Sequence, residues 1–271
     1  MSEIFFIRGH AKSGTNWLNR LVNLHPEINA KGEFHLENLF SGLISTFESP
    51  FGILKKNEDQ LLDHFYTFVE NLISHYCDSF PMCGDRTPGP ITDSYIPGRK
   101  CLYISRDGRD VLVSWTYHAF RKRLHSNPIM LEKQIFFDSD PNYFELNKHQ
   151  LLDDKEYVTG FASKWNNFIL RDLENMARAD LGHLNLPYFH IRYEDLHQNL
   201  DYFLRKIFNF LGVDSSAVAQ IPANLQPGFD KINNMSLYRR GEAGAWKEYF
   251  NSEQENWFTE MASEAIEKLE N

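Results

Sequence analysis

The chain has 271 residues, 42% apolar and 24% charged, a composition suited to one large α/β domain or two small ones. Its 28 Lys and Arg against 37 Asp and Glu leave a net charge of −9, which argues against a general nucleic-acid binder, whose footprint is a basic surface. Three cysteines (Cys77, Cys83, Cys101) fit neither a disulfide framework nor a metal-ligand spacing, and the apolar run at residues 4–7 is too short for a leader or a membrane span. These features predict a cytoplasmic protein with reduced thiols and no membrane partner.

The opening stretch EIFFIRGH is a continuous apolar run ending in glycine, which reads as a buried parallel strand. Trp17, Leu18, Leu21, Val22 and Leu24 then share one side of a helix that stops before His25-Pro26. A second strand, turn and helix are read at residues 101–105, Asp107-Gly108 and residues 111–120. Residues 121–157 show poor periodicity and mixed charge, and are expected to form a mobile surface segment or lid. Their RKRLH cluster offers attraction for an anionic acceptor, although a solvated helix face is the plainer reading of such a run.

A third strand is read in LPYFHIRYEDL, then a helix, LDYFLRKIFNFLGV, closed by Gly212, and a last helix over residues 253–269. With no repeat, low-complexity tract or linker, the chain is expected to be one domain over residues 1–271. The alternation predicts an α/β fold, a three-layer sandwich with a mostly parallel central sheet. Ligands in such sheets bind beyond the carboxyl ends of the strands, where loops 8–16 and 106–109 fall.

The first of these loops, RGHAKSGTNW, has Gly9 and Gly14 at the separation of a Walker A loop, yet Thr15 follows Gly14 and the lysine comes earlier, at Lys12. Backbone N–H groups of residues 13–16 at a helix start form an anion site, with Gly14 allowing close approach and Lys12 at the crown of the loop. YISRDGRDVLVSWTYH adds Arg106 at a strand end and Ser114 two helical turns on, suited to a second phosphate, and RRGEAGAWKEYF adds Arg239, Arg240 and a glycine-rich turn. Two phosphate sites and a loop lysine point to a nucleotide phosphorylated at both ends of its ribose.

Together the three segments resemble the signature set of the sulfotransferase superfamily, which uses 3′-phosphoadenosine-5′-phosphosulfate (PAPS) as co-substrate. The first resembles the P-K-S-G-T-T-W loop, with Ala11 for Pro and Asn16 for Thr; the second resembles R-x-x-x-D-x-x-x-S; the third resembles R-K-G-x-x-G-x-W-K. The matches run in the family's order over residues 4–258. The resemblance implies that Ser13, Gly14, Thr15 and Asn16 hold the 5′-phosphate, and that Lys12 stabilises the leaving group. It further implies that Trp17 stacks on adenine, Arg106 and Ser114 bind the 3′-phosphate with Arg239, Arg240 and Gly241, and Tyr193 and Phe229 touch adenine. Pro227 replaces the usual hydroxyl residue two before Phe229. No metal is implied.

The base departs from the small-molecule branch of the family. Its K-T-H-L-P histidine corresponds to Pro88 in GDRTPGP, while Arg86 and Thr87 fall on its lysine and threonine. The segment instead resembles the E-K-T-P of carbohydrate sulfotransferases, in which a glutamate after the first helix is the base; KGEFHLENLF supplies Glu33, with His35 as the alternative. His118 matches a non-catalytic family histidine and is read as structural. The usual dimer segment after the glycine motif is unsupported, so the oligomeric state stays open. The expected activity is sulfonyl transfer from PAPS to a hydroxyl or amine of a small-molecule or carbohydrate acceptor, its pocket lined from residues 36–80 and 121–157. The competing readings are a nucleotide kinase and a non-catalytic nucleotide-binding module.

Overall fold

The computed structural model describes residues 2–47, 58–92, 96–218, 220–228, 234–235 and 241–270. Five strands, β1 (Glu3–Arg8), β2 (Ile28–Gly32), β3 (Met82–Arg86), β4 (Lys100–Ser105) and β5 (Tyr188–Arg192), form one sheet in the order β2-β3-β1-β4-β5. Every pairing is parallel. Alternate residues of β1 and β4 face opposite cores. Phe5, Ile7, Leu102 and Ile104 pack with helices α1 (Thr15–Val22) and α9 (Leu200–Leu211), whereas Ile4, Phe6, Cys101 and Tyr103 pack with α3 (Glu58–Tyr76) and α7 (Lys155–Asp180). That two-residue alternation, apolar on both sides, buries both faces of a parallel sheet and makes the fold the expected α/β sandwich.

After β3 the chain crosses β1 to build β4 on the other side, so a crevice opens at the carboxyl ends of β1, β3 and β4, where such folds bind ligands. Helix α4 (Gly108–Lys122) leaves β4 along this crevice. With α7 and α10 (Ser252–Glu270) it encloses a further core around Trp165, Tyr117 and Phe258.

The expected helices appear within a few residues. Gly212 ends α9 at φ 88, and α10 matches the last apolar stripe. Strands β2 and β3 were illegible: INAKG and MCGDR carry Asn29, Lys31, Asp85 and Arg86, of which Asp85 is buried against Arg8 and Arg86 lines the crevice. The YED stretch is not strand; β5 stops at Arg192, and Tyr193–Gln198 is helix α8, with Glu194 and Asp195 in its first turn, where acidic groups suit the helix dipole.

Residues 121–157 correct the expectation of a lid. They hold α5 (Pro128–Ser139) and α6 (Tyr143–Leu146), and bury Met130, Phe137, Phe144, Leu151 and Leu152 in the core beside α4. Asn127 caps α5 through the Met130 N–H at 3.2 Å, and donates at 2.9 Å to Asp154, the cap of α7. The periodicity failed because Ile129, Leu131, Ile135 and Phe136 are exposed, so apolar residues lie on both sides of α5. All three cysteines are buried free thiols. Among the described residues, no helix is long and apolar enough to cross a membrane.

Candidate active site

The loop between β1 and α1 is shaped by three left-handed residues. Gly9 (φ 146) exchanges two backbone hydrogen bonds of 3.0 Å with Gly89, and a side chain there would collide with the Ile104 carbonyl. Lys12 has φ 75, and Gly14 has φ 108, where an added Cβ would come 2.6 Å from Tyr193. Ser13 faces inward: its Oγ lies 2.7 Å from the His10 carbonyl and 3.0 Å from that of Ile104, and its N–H also donates to His10. It therefore shapes the loop rather than lining the crevice. Among the described residues nothing accepts from the amides of Gly14, Thr15, Asn16 and Trp17, the orphan donors of a helix start.

Arg106, at the end of β4, is mostly buried. Its Nη2 donates to the Glu242 carbonyl at 2.6 Å, its guanidinium lies 4.2 Å from the Tyr193 ring centroid, and its Nε is buried with no partner among the described residues. Asp110, one turn into α4, accepts from the amides of Gly244 at 2.7 Å and Trp246 at 2.8 Å, and stands 3.5 Å from Arg106. A buried carboxylate so placed moors the glycine-rich closing loop to the first turn of α4.

These pieces enclose a cleft of about 490 Å3. Lys12, Gly14, Thr15, Asn16, Trp17, Glu33, His35, Arg106, Ser114, Tyr193 and Gly241 all line it. Phe229, Arg239 and Arg240 lie outside the described residues. Trp17 donates from Nε1 to the Leu225 carbonyl at 2.9 Å and sits 5.3 Å from the Tyr193 ring, which fixes the indole edge at the cleft wall. The Lys12 ammonium is pushed down to about 8, first by burial, then by the charge of Arg121, with Lys122 and Arg86 adding to this and Glu33 opposing it.

At the other end Glu33 follows β2. Its Oε1 accepts from Arg86 at 2.5 Å and its Oε2 lies 3.3 Å from His35 Nε2, while His35 Nδ1 is 3.1 Å from Glu37. Beneath them, Arg8 and Asp85 form a fully buried ion pair of 2.7 Å. Asp85 Oδ1 also accepts from Thr87 Oγ1 at 2.8 Å and the Phe34 amide at 3.3 Å, so the pair fixes the segment that carries Glu33. Pro88 lines the cleft where the small-molecule branch has its histidine.

Sequence reasoning missed three of the groups present. Arg86 was aligned but not seen as the partner of Glu33, and Asp110 was given no role. Trp115 was not assigned, and Lys122 was read only as part of the RKRLH cluster and more simply as a solvated face, yet both line the cleft. His118, expected to be structural, lines the cleft too; its Nδ1 is buried without a partner among the described residues. Burial, then the charges of Lys12, Arg121 and Lys122, push its imidazole down to about 4, so it is neutral near pH 7. The signal was the spacing 106, 110, 114, 118, 122, one residue per helical turn.

The sulfotransferase domain family matches residues 95–270, and the chain belongs to that family. No curated protein sequence matches it. Among solved structures, mouse sulfotransferase SULT7A1 complexed with PAP is similar over 97% of this chain and 84% of that one, at 18% identity and TM-score 0.51. The sulfotransferase domain from the curacin biosynthetic pathway aligns over 96% and 98% at 16% identity and TM-score 0.49. Retinol dehydratase in a complex with retinol and PAP aligns over 97% and 80% at 16% identity and TM-score 0.47. At these identities the likeness is one of fold.

Proposed function

We propose that this sulfotransferase moves a sulfonyl group from PAPS to a hydroxyl or amine of a small-molecule or carbohydrate acceptor, releasing adenosine 3′,5′-bisphosphate (PAP). The observation that carries the reading is Arg106: a mostly buried guanidinium facing the cleft, with an unpartnered Nε, beside Ser114 and across from four unpartnered amides at the start of α1. Two anion-holding sets in one cleft suit a nucleotide with phosphates at both ends of its ribose.

In this reading the amides of Gly14, Thr15 and Asn16 hold the 5′-phosphate, with Ser13 setting the loop. Arg106 and Ser114 take the 3′-phosphate, joined by Gly241 and by Arg239 and Arg240. Trp17, Tyr193 and Phe229 hold the adenine. The acceptor oxygen attacks sulfur in line, the bond from sulfur to the 5′-phosphate oxygen breaks, and its electron pair leaves with PAP. Lys12 neutralises the charge growing on that oxygen, and Glu33, with His35 beside it, receives the acceptor proton. No metal ion has a part in these steps.

Titration calorimetry with PAP, using AMP and ATP as controls, tests this. Binding that needs the 3′-phosphate and weakens in Arg106→Ala is expected. Equal or tighter binding of ATP would favour a kinase.

A further inference from the structure

Helix α4 runs the length of the cleft and presents Asp110, Ser114, His118 and Lys122 to it at intervals of four residues. At 1.5 Å per residue, Lys122 lies about 12 Å along the axis beyond Ser114, well past the reach of a phosphate held there. Among the described residues, the cations lining the cleft are Lys12, Arg86, Arg106 and Lys122. Arg86 is paired with Glu33 at 2.5 Å and Arg106 stands beside Asp110 at 3.5 Å. Among the described residues, Lys12 and Lys122 have no carboxylate within ion-pair distance.

Lys12 belongs to the donor end, so Lys122 is left over at the far end. Its side chain is exposed, and it borders the cleft that also holds Glu33. Nor is it alone there: Arg121 donates to the Asn234 carbonyl at 2.8 Å, and the charges of Arg121, Lys122 and Arg86 all bear on the Lys12 ammonium. Among the described residues, Glu33 is the one carboxylate at this end of the cleft lining, and it already carries Arg86. A cation bordering the cleft with no carboxylate within ion-pair distance among the described residues marks a place for a negative charge.

We infer that the acceptor carries an anionic group, a carboxylate or a phosphate, which Lys122 binds while the acceptor's nucleophile lies between Lys12 and Glu33. The inference rests on the sulfonyl-transfer reading above. His118, between Ser114 and Lys122 on the same face, then offers its unpartnered Nδ1 to the body of the acceptor.

The test is titration calorimetry on PAP-saturated protein with two matched pairs of probes, 4-hydroxybenzoate against its methyl ester and glucose 6-phosphate against glucose. The charged member of at least one pair is expected to bind roughly tenfold tighter or better, the worth of one charge-assisted hydrogen bond. Lys122→Ala should remove that preference and Lys122→Arg should keep it, with PAP affinity the same in all three proteins. The two pairs tell carboxylate from phosphate recognition. Equal binding within both pairs, no measurable binding of either charged member, or a preference that survives Lys122→Ala overturns the inference and leaves the sulfonyl-transfer reading standing. Failure of the unaltered protein to bind PAP overturns both.

Discussion

The two ends of the cleft are built differently. The end proposed to hold the donor rests on backbone: orphan amides of α1, glycines at φ values that a side chain would strain, and Asp110 holding the amides of Gly244 and Trp246. The acceptor end rests on side-chain charge: Glu33, Arg86, His35 and Lys122, with Glu33 and His35 43% and 57% exposed. Backbone donors are rigid and read one ligand shape, whereas charged side chains on loops and a helix end can be exchanged without disturbing the sheet. With the proposed function, such a division of labour gives a fixed donor and a variable acceptor.

The comparison breaks first at Asp85. Asp85→Ala removes the carboxylate that faces the fully buried Arg8, with an expected stability loss of about 3–5 kcal/mol in urea unfolding. If the protein lost less than about 1 kcal/mol, the acceptor end would not be anchored on that pair. Lys12→Met keeps the stem and removes the charge; turnover with PAPS should fall roughly 100- to 1000-fold with PAP affinity changed far less. A fall confined to KM would make Lys12 a binding group only.

Asp110→Asn, at the donor end, should cost about 1–3 kcal/mol of thermal stability and weaken PAP binding, because one amide of the closing loop then faces an NH2 donor. Unchanged PAP affinity would show that the closing loop is moored elsewhere. The smallest effect is on pH. In its proposed role the Lys12 ammonium, held at about 8, acts when protonated, so kcat/KM for PAPS should fall as pH rises through about 8. Because the unfolded chain keeps that proton to about 10.5, the fold itself gains stability over the same rise. Lys122→Ala removes one of the charges that depress Lys12, so the alkaline limb should move to higher pH. A limb that stays put would separate the two ends electrostatically.

Legibility in the sequence followed the same division. The loop with Lys12 and Gly14, and the Arg106 and Ser114 spacing, were readable because phosphate chemistry needs glycines, amides and an arginine at fixed intervals. Strands β1, β4 and β5 stood out as apolar runs. Strands β2 and β3 did not, since Asp85 and Arg86 end one of them, the first in a buried ion pair with Arg8 and the second lining the cleft. Helix α5 was hidden by exposed Ile135 and Phe136, which erase its apolar face. The ion pair of Glu33 with Arg86 was out of reach, because it joins residues 53 apart through strand register, with β2 and β3 aligned so that Gly32 faces Arg86.

The stripe of cleft residues on α4 makes that helix a ruler. Inserting one residue between Trp115 and His118 would rotate everything beyond it by about 100°, swinging positions 118 and 122 out of the cleft while Arg106, Asp110 and Ser114 kept their places. Recoding only the last two turns, with the length held, would instead give a different acceptor to an unaltered nucleotide site. In a lineage of such enzymes, or in the hands of an engineer, substrate choice can drift along one axis of one helix, at a distance from the group that is transferred.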